Sequence, residues 1–425
     1  MLEKVSLFKT RRDFFHFLIL LFTLFALSLS LEYYNYKELT KFDSQLVKAT
    51  VLKQYEKTKV TKKGKTKSYH VLKLITQEGA LFYTTASKNL PDLRDKELEL
   101  EIWAGKISFY EYMTSFYAFS KILHIKEEPS LKTVLNRAIA RQHTDENIAL
   151  IYQALFTAKQ LPYELQKKFS QLGISHLVAI SGFHLGVLSA ILFFLLKLPY
   201  KFLQNRYFPY RSYRVDSFVL IGGVLLAYLL FLDSPPSLLR AFGMLLIGFI
   251  LHDRGIKVIS METLLLTVLV LLALSPRLFF ALGFWLSVAG VFSIFLFLLY
   301  CKNLSNMQKF LLLPFWIYLF MVGYSLTLFG NFSLYHPLSI LWTSLFTLFY
   351  PVALTLHILG VGHLLDPLLS ALLTLPNPTV EVQLTQLWLI PLLLFSLVSI
   401  YKKWALYFLF VTSLLLLIDA SLLLT

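Results

Sequence analysis

Phe14-Phe15-His16-Phe17-Leu18-Ile19-Leu20-Leu21-Phe22-Thr23-Leu24-Phe25-Ala26-Leu27-Ser28-Leu29-Ser30-Leu31 contains no lysine, arginine, aspartate or glutamate, and as a helix it crosses the hydrocarbon core of a bilayer. Lys4, Lys9, Arg11 and Arg12 precede it as in a signal peptide, but it runs into Leu31-Glu32-Tyr33-Tyr34 with no small-residue cleavage site. It reads as a retained anchor. The positive-inside rule then leaves the N-terminus in the cytoplasm and sends the chain from about Glu32 to Gly173 to the outer face. Composition agrees: of 425 residues, 56% are hydrophobic and 15% charged, and mean hydropathy is +0.63. Soluble domains carry about 25% charged residues, so a disordered chain and an ordinary soluble enzyme are both excluded.

Further apolar runs lie near Ile174 to Leu196, Phe218 to Leu232, Leu238 to Leu251, Val258 to Leu274 and Leu278 to Tyr300. The loops this places inside hold Lys197, Lys201, Arg206, Arg211 and Arg214, then Arg254 and Lys257, then Lys302 and Lys309, in keeping with the positive-inside rule. Phe310 to Phe329 follows, then a stretch near 330–375 interrupted by Gly330, Pro337 and Pro351, where broken or re-entrant helices are expected. Leu387 to Ile400 and Ala405 to Ile418 flank Lys402-Lys403. The total is roughly ten spans. The fold class is therefore a polytopic α-helical membrane protein in the cytoplasmic (inner) membrane.

Residues 42 to 126 read as five strands: Leu46 to Leu52, Ser68 to Ile75, Ala80 to Thr85, Glu97 to Trp103 and Phe116 to Ile125. Leu98, Leu100 and Ile102 alternate with Glu97, Glu99 and Glu101, the period of a strand with one face on a core. Five short strands in so few residues predict a small external all-β barrel like the oligonucleotide-binding (OB) fold. Leu131, Val134, Leu135, Ala138 and Ile139 then recur at helical spacing, an amphipathic segment expected on the membrane surface. The expected domains are 1–31 (tail and anchor), 32–128 (barrel), 129–172 (surface helices) and 173–425 (spans).

Lys53, Lys57, Lys59, Lys62, Lys63, Lys65 and Lys67 crowd the turn between the first two strands, where such barrels place phosphate contacts. Tyr55, Tyr69, Tyr83 and Trp103 are candidate stacking platforms for bases. A solvated, aggregation-blocking strand edge accounts for the same lysines equally well. Within the apolar part, His176, Ser181, Gly182, His184 and Gly186 form the densest polar and small-residue cluster. It reads as an intramembrane nucleophile and base, as helix-contact residues, or as the lining of a conduit. A second interruption, Asp233-Ser234-Pro235-Pro236-Ser237-Leu238-Leu239-Arg240, sets Ser237 as a helix cap and Arg240 in the first turn, against the helix dipole. That placement points to an anion nearby, to pairing with Asp233, or to snorkelling.

At these residues the chain resembles the ComEC-type competence family, inner-membrane channels for single-stranded DNA in natural transformation. His176 through His184 match the family's histidine, Ile-Ser-Gly and second histidine, and Pro236-Ser237, Arg240-Ala241 and Met244 match a second motif. Ser275-Pro276, Leu278-Phe279, Gly283-Phe284 and Leu286-Ser287 match a third in part, and Phe329-Gly330, Phe332-Ser333-Leu334 and Leu338 match a fourth. Where the third motif carries an acidic residue and a glutamine, this chain has Ala281 and Trp285. Many relatives end in a metallo-β-lactamase-like domain; no His-x-His-x-Asp-His cluster occurs here, so the chain reads as a short-form member, with degradation of the other strand left to another protein.

The resemblance implies a DNA-conducting channel subunit, with His176, Ser181, Gly182, His184, Gly186, Ser237, Arg240, Gly283 and Gly330 along the path. Implied partners are single-stranded DNA, the lipid bilayer, a periplasmic DNA receptor, and a cytoplasmic DNA translocase or the proton gradient for energy, since no P-loop is present. Homo-oligomerisation stays open. No enzymatic activity, cofactor or metal is expected, and Cys301, alone, can form no internal disulfide. The alternatives are an intramembrane serine hydrolase using Ser181 with His176 or His184, and a transporter of another anionic polymer or lipid.

Overall fold

The computed structural model describes residues 10–60, 66–126, 131–253, 260–376, 379–382 and 384–423. Helix α1 (Arg11–Leu39) starts at a capping box, in which the Thr10 hydroxyl accepts from the Asp13 N–H and the Asp13 carboxylate accepts from the Thr10 N–H. Its apolar run leads straight into the β domain, formed by β1 (Gln45–Val60), β2 (Thr66–Thr76), β3 (Leu81–Ala86), β4 (Glu97–Trp103), a short helix α2 (Phe109–Thr114), β5 (Phe116–Tyr117) and β6 (Phe119–Lys126).

All five expected strands are present, the fifth divided at Ala118. The period-two reading of β4 holds: Leu98, Leu100 and Ile102 are fully buried, packed with Val51, Leu72, Leu74 and Phe82. The closed OB-like barrel is corrected. The strands form one six-stranded sheet in the order β5-β3-β2-β1-β4-β6, which is not a closed ring of ladders. Its two edges are consecutive pieces of chain: β5 pairs in parallel with β3, and after Ala118 the chain bends to pair antiparallel with β4. The small Ala118 is buried at the bend, with its N–H on the Tyr83 carbonyl.

Three helices follow: α3 (Leu131–Ala140), α4 (Glu146–Thr157) and α5 (Tyr163–Gln171). The segment expected on the membrane surface is in part interior, because every residue of α4 from Ile148 to Thr157 is buried. The run Ile148-Ala149-Leu150-Ile151 has no polar face, so α4 is enclosed by neighbours rather than laid on a bilayer.

The remainder is helical: α6 (Ser175–Val178), α7 (Gly182–Tyr207), α8 (Tyr213–Phe231), α9 (Pro236–Asp253), α10 (Met261–Leu274), α11 (Leu282–Tyr300), α12 (Asn306–Phe329), then a two-stranded pairing of β7 (Asn331–Phe332) with β8 (Val380–Glu381), α13 (Ser339–Ile358), α14 (Asp366–Thr374), α15 (Leu389–Val398) and α16 (Lys403–Leu422). Among the described residues seven helices, α1, α7, α8, α11, α12, α13 and α16, are long and apolar enough to cross a membrane, and three shorter apolar ones accompany them. This is a multi-pass membrane protein. Between 330 and 375 the helices are interrupted at both ends of α13, by Gly330, β7 and a turn before it and by a 3-10 turn at Gly362–Leu365 and the short α14 after it, whereas α13 itself runs unbroken for 20 residues through Pro351.

Ion pairs mark which helix ends share a side with the sheet. Arg277, between α10 and α11, grips Glu32 of α1 through Nη2 at 2.6 Å and Nε at 2.9 Å, and its guanidinium lies 4.6 Å from the ring centre of Tyr112 in the β domain. The start of α7 meets the start of α9, where Ser237 donates to the Ile180 carbonyl at 3.0 Å.

Candidate functional site

A cavity of about 840 Å³ opens where the β domain, the α4–α5 turn and the helix bundle meet. Lys53 of β1, Lys159, Gln166 and Lys167, Ser175 with Val178–Ile180 at the break before α7, and Ser237 of α9 are among its walls. A second cavity, of about 290 Å³, continues from it across the sheet, sharing Lys53, Leu161, Tyr163 and Gln166 and adding Tyr55, Lys73 and Tyr83. Together they make one groove from the sheet face to the polar break in the bundle.

Strand register explains the sheet end. Lys53 pairs with Lys73, which pairs with Tyr83, and Lys57 pairs with Tyr69, so these side chains and Tyr55 share one face. Lys73 Nζ lies 5.5 Å from the Tyr83 ring centre. Burial first, and then the Lys73 charge, pull the Lys53 ammonium below its ordinary value. Like charges held together cost free energy that an incoming polyanion recovers. Lys59 continues the β1 strand, exposed, beyond the groove, and Trp103, the last residue of β4, stands opposite Phe119 of β6, also outside it. Lys62, Lys63 and Lys65 lie outside the described residues, as does the Lys67 side chain.

At the bundle end, one continuous helix from His176 to His184 would set His176, Ser181 and His184 on nearly one face, but the chain divides them between α6 and α7. The helix breaks at 179–181, where Ala179 and Ser181 are extended. His176, on α6, sits 3.3 Å from the Thr343 hydroxyl of α13. Ser181 is the N-cap of α7, and its N–H donates to His184 Nδ1 at 3.1 Å, with its hydroxyl 3.0 Å from the same nitrogen. The Ser-x-x-His spacing is thus a capping box that ends the break. His184 is fully buried against Tyr350 and Phe346, and its Nε2 has no partner among the described residues.

Gly182 follows because a Cβ there would lie 2.9 Å from Ala241 Cβ and 3.2 Å from an Arg240 nitrogen, so only glycine lets α7 approach α9. Arg240 is 5% exposed, and its Nε donates to Ser287 of α11 at 2.8 Å and its Nη1 to the Met244 sulfur at 3.0 Å. Neither pairing with Asp233 nor snorkelling accounts for it: Asp233 pairs with Lys132 at 2.9 Å, and the guanidinium is buried. Among the described residues no carboxylate faces it. Gly186 and Gly283 have open space where a Cβ would be, and Gly330 caps α12 in the left-handed region at φ 67°.

Lys159, Lys167, Gln166 and Lys73 were missed by sequence reasoning. Each is an ordinary surface residue locally, and only the docking of α5 against the sheet brings them to one groove. Ser287, which the third motif includes, has no visible role in the sequence and proves to hold Arg240.

A family model described as Competence protein matches residues 156–424, which takes in the break before α7, Arg240 and the α4–α5 side of the groove. ComE operon protein 3 of Bacillus subtilis (strain 168) is 32% identical over 136 residues, covering 31% of this chain and 16% of that protein. The chain therefore matches only a small part of that relative's length. No solved structure matches.

Proposed function

We propose, for a chain that belongs to the competence protein family, that it takes part in DNA uptake as a membrane channel subunit conducting single-stranded DNA across the cytoplasmic membrane. The observation that carries this reading is Arg240: a buried guanidinium held by neutral partners, one helical turn along α9 from Ser237, a wall residue of the groove that Lys53, Lys159 and Lys167 also line. A desolvated cation without an anion is costly unless a passing anion uses it. Phosphates gathered on the lysines of the sheet, with bases on Tyr55 and Tyr83, would be handed to the break before α7, where backbone groups and Arg240 replace water. In this role the sheet acts as a receptor surface on the outer face, the N-terminus is cytoplasmic, and a translocase or the proton gradient supplies the work. A periplasmic receptor would deliver the DNA.

The chain acts without catalysis in this reading. Ser181 and His184 are in contact, yet the histidine nitrogen facing Ser181 already accepts a backbone N–H, and its other nitrogen meets no orienting group among the described residues. A base that activates a nucleophile needs such an orienting partner.

The test is entry of labelled DNA into the cytoplasm of the source cell with the gene deleted and then restored. Deletion should abolish cytoplasmic entry while surface-bound DNA persists. Restoration with Arg240→Ala should leave entry at least about tenfold below wild type, the scale of one charge-assisted hydrogen bond. Ser181→Ala should lose only part. Unchanged entry on deletion refutes the reading, and complete loss with a folded Ser181→Ala protein transfers it to the hydrolase.

A further inference from the structure

The α3–α4 turn and the end of α13 meet in a cluster that lies outside the groove. His143 Nδ1 is 2.9 and 3.1 Å from the two carboxylate oxygens of Asp366, the first residue of α14. His143 Nε2 is 3.0 Å from His357 Nε2, and His357 Nδ1 is 2.7 Å from the Ala353 carbonyl. A carbonyl only accepts, so His357 Nδ1 bears a hydrogen. Two imidazole nitrogens at hydrogen-bond distance require one hydrogen between them, and a carboxylate against a ring nitrogen requires another. These three contacts use three hydrogens, whereas two neutral imidazoles supply one each. The cluster therefore holds one proton more than two neutral histidines and an ionised aspartate, whichever of the three residues formally carries it.

We propose that His143, His357 and Asp366 form a proton-binding site whose single proton clasps the α3–α4 turn to the α13–α14 junction. With the proton bound, one positive and one negative charge cancel, which suits the surroundings: the His143 side chain is fully buried and that of Asp366 is 16% exposed. Tyr152 of α4 stacks on His143 at 4.6 Å and leans on His357 at 4.3 Å, and Phe156 covers His357 at 4.9 Å. Among the described residues the titratable groups that face the cluster are Tyr152 from α4, Asp366 from α14 and the two imidazoles themselves. Gln142 completes the clasp, donating to the His357 carbonyl at 3.1 Å and accepting the Gly362 N–H at 2.8 Å. Gly362 is required, since a Cβ there would lie 2.7 Å from His357 Nε2. Removal of the proton sets two lone pairs against each other or breaks the Ala353 bond, and leaves a carboxylate without its cation. Two histidines with their outer N–H groups held this way also resemble metal ligands, but among the described residues no three His, Cys, Asp or Glu side chains converge on a metal position.

The sign of the pH dependence follows from proton counts. The folded site holds one proton; the unfolded histidines hold two in acid and none in base. The site's contribution to stability is therefore largest near the ordinary histidine pKa, about 6.5, and falls on both sides. The experiment is thermal unfolding of the purified full chain in detergent against pH, wild type minus His143→Gln/His357→Gln, with EDTA present. A difference that peaks near that pH supports the proposal, as does loss of the alkaline fall in Asp366→Asn, which leaves the proton without its anion. A difference that rises with pH to a plateau means two neutral imidazoles and overturns it. So does a difference that appears only when zinc replaces EDTA. If the double variant does not fold, histidine nitrogen NMR of the wild-type chain reads the same count: a shared, exchange-protected imidazole proton that disappears in Asp366→Asn supports the site, and its absence near that pH overturns it.

Discussion

Asp95 shows how one residue can be held at a cost. It has a left-handed backbone at φ 63°, and its Oδ2 is buried with no hydrogen-bond partner among the described residues. Burial pushes its carboxyl above the ordinary value, against the pull of Lys132, Lys159 and Arg94. A folded pKa above the unfolded one means that the ionised form is penalised, so the penalty is present at neutral pH and disappears on acidification through the raised pKa. Asp95→Asn, which tolerates the left-handed region, should raise the stability of the full chain at pH 7 by about 1 kcal/mol, with the gain fading in acid. Thermal unfolding checks this, and a loss at pH 7 would show that its lysine neighbours dominate. No local pattern marks Asp95, because its burial comes from contacts remote in sequence. Arg240 differs: Pro236-Ser237 followed by Arg240 marks a cation at the wrong end of a helix, and only its partners, Ser287 and Met244, needed the fold.

Among elements, the alternation of β4 was legible, whereas β1 runs on to Val60, so that Lys53, Lys57 and Lys59, expected in a turn, stand in a strand, and the function of their face was not legible. Seven lysines from Lys53 to Lys67 fit a solvated edge or a phosphate-binding surface equally well, and what favours the second is that Lys53, beside Gln166 of α5, lines a groove with Tyr55, Lys73 and Tyr83. If that face binds DNA, Lys53→Gln/Lys73→Gln in the purified full chain should weaken single-strand binding and lower the slope of log affinity against log salt by roughly 1.4, about 0.7 for each phosphate that is no longer neutralised. An unchanged slope would return these lysines to the solvated edge. The α6–α7 break was hidden for a related reason: Ile174 to Leu196 is apolar enough to read as one span, and hydropathy does not register that Ser181 and His184 close a capping box in the middle of it.

Across the whole molecule, α1, which leads into the β domain, is tied to the α10–α11 turn by the bidentate Glu32–Arg277 pair, both partners largely buried, and the same guanidinium lies against Tyr112 of the β domain. Glu32→Gln leaves the guanidinium without its anion and should cost on the order of 2 kcal/mol, seen as a lower unfolding temperature of the full chain. An unchanged temperature would mean that apolar packing alone joins the two parts. The sequence by itself determined what depends on composition and period: a membrane protein, the spans other than α13, the strands of the β domain, and the motif residues around Ser181 and Arg240. Tertiary structure decided the open order of the sheet, the burial of α4, the groove and the His143–His357–Asp366 cluster. The physical reason is range. Hydrophobic period acts between residues a few positions apart, whereas a cavity wall or a shared proton requires side chains that are more than a hundred positions apart, as Lys53 and Gln166 or His143 and His357 are, to meet within hydrogen-bond reach.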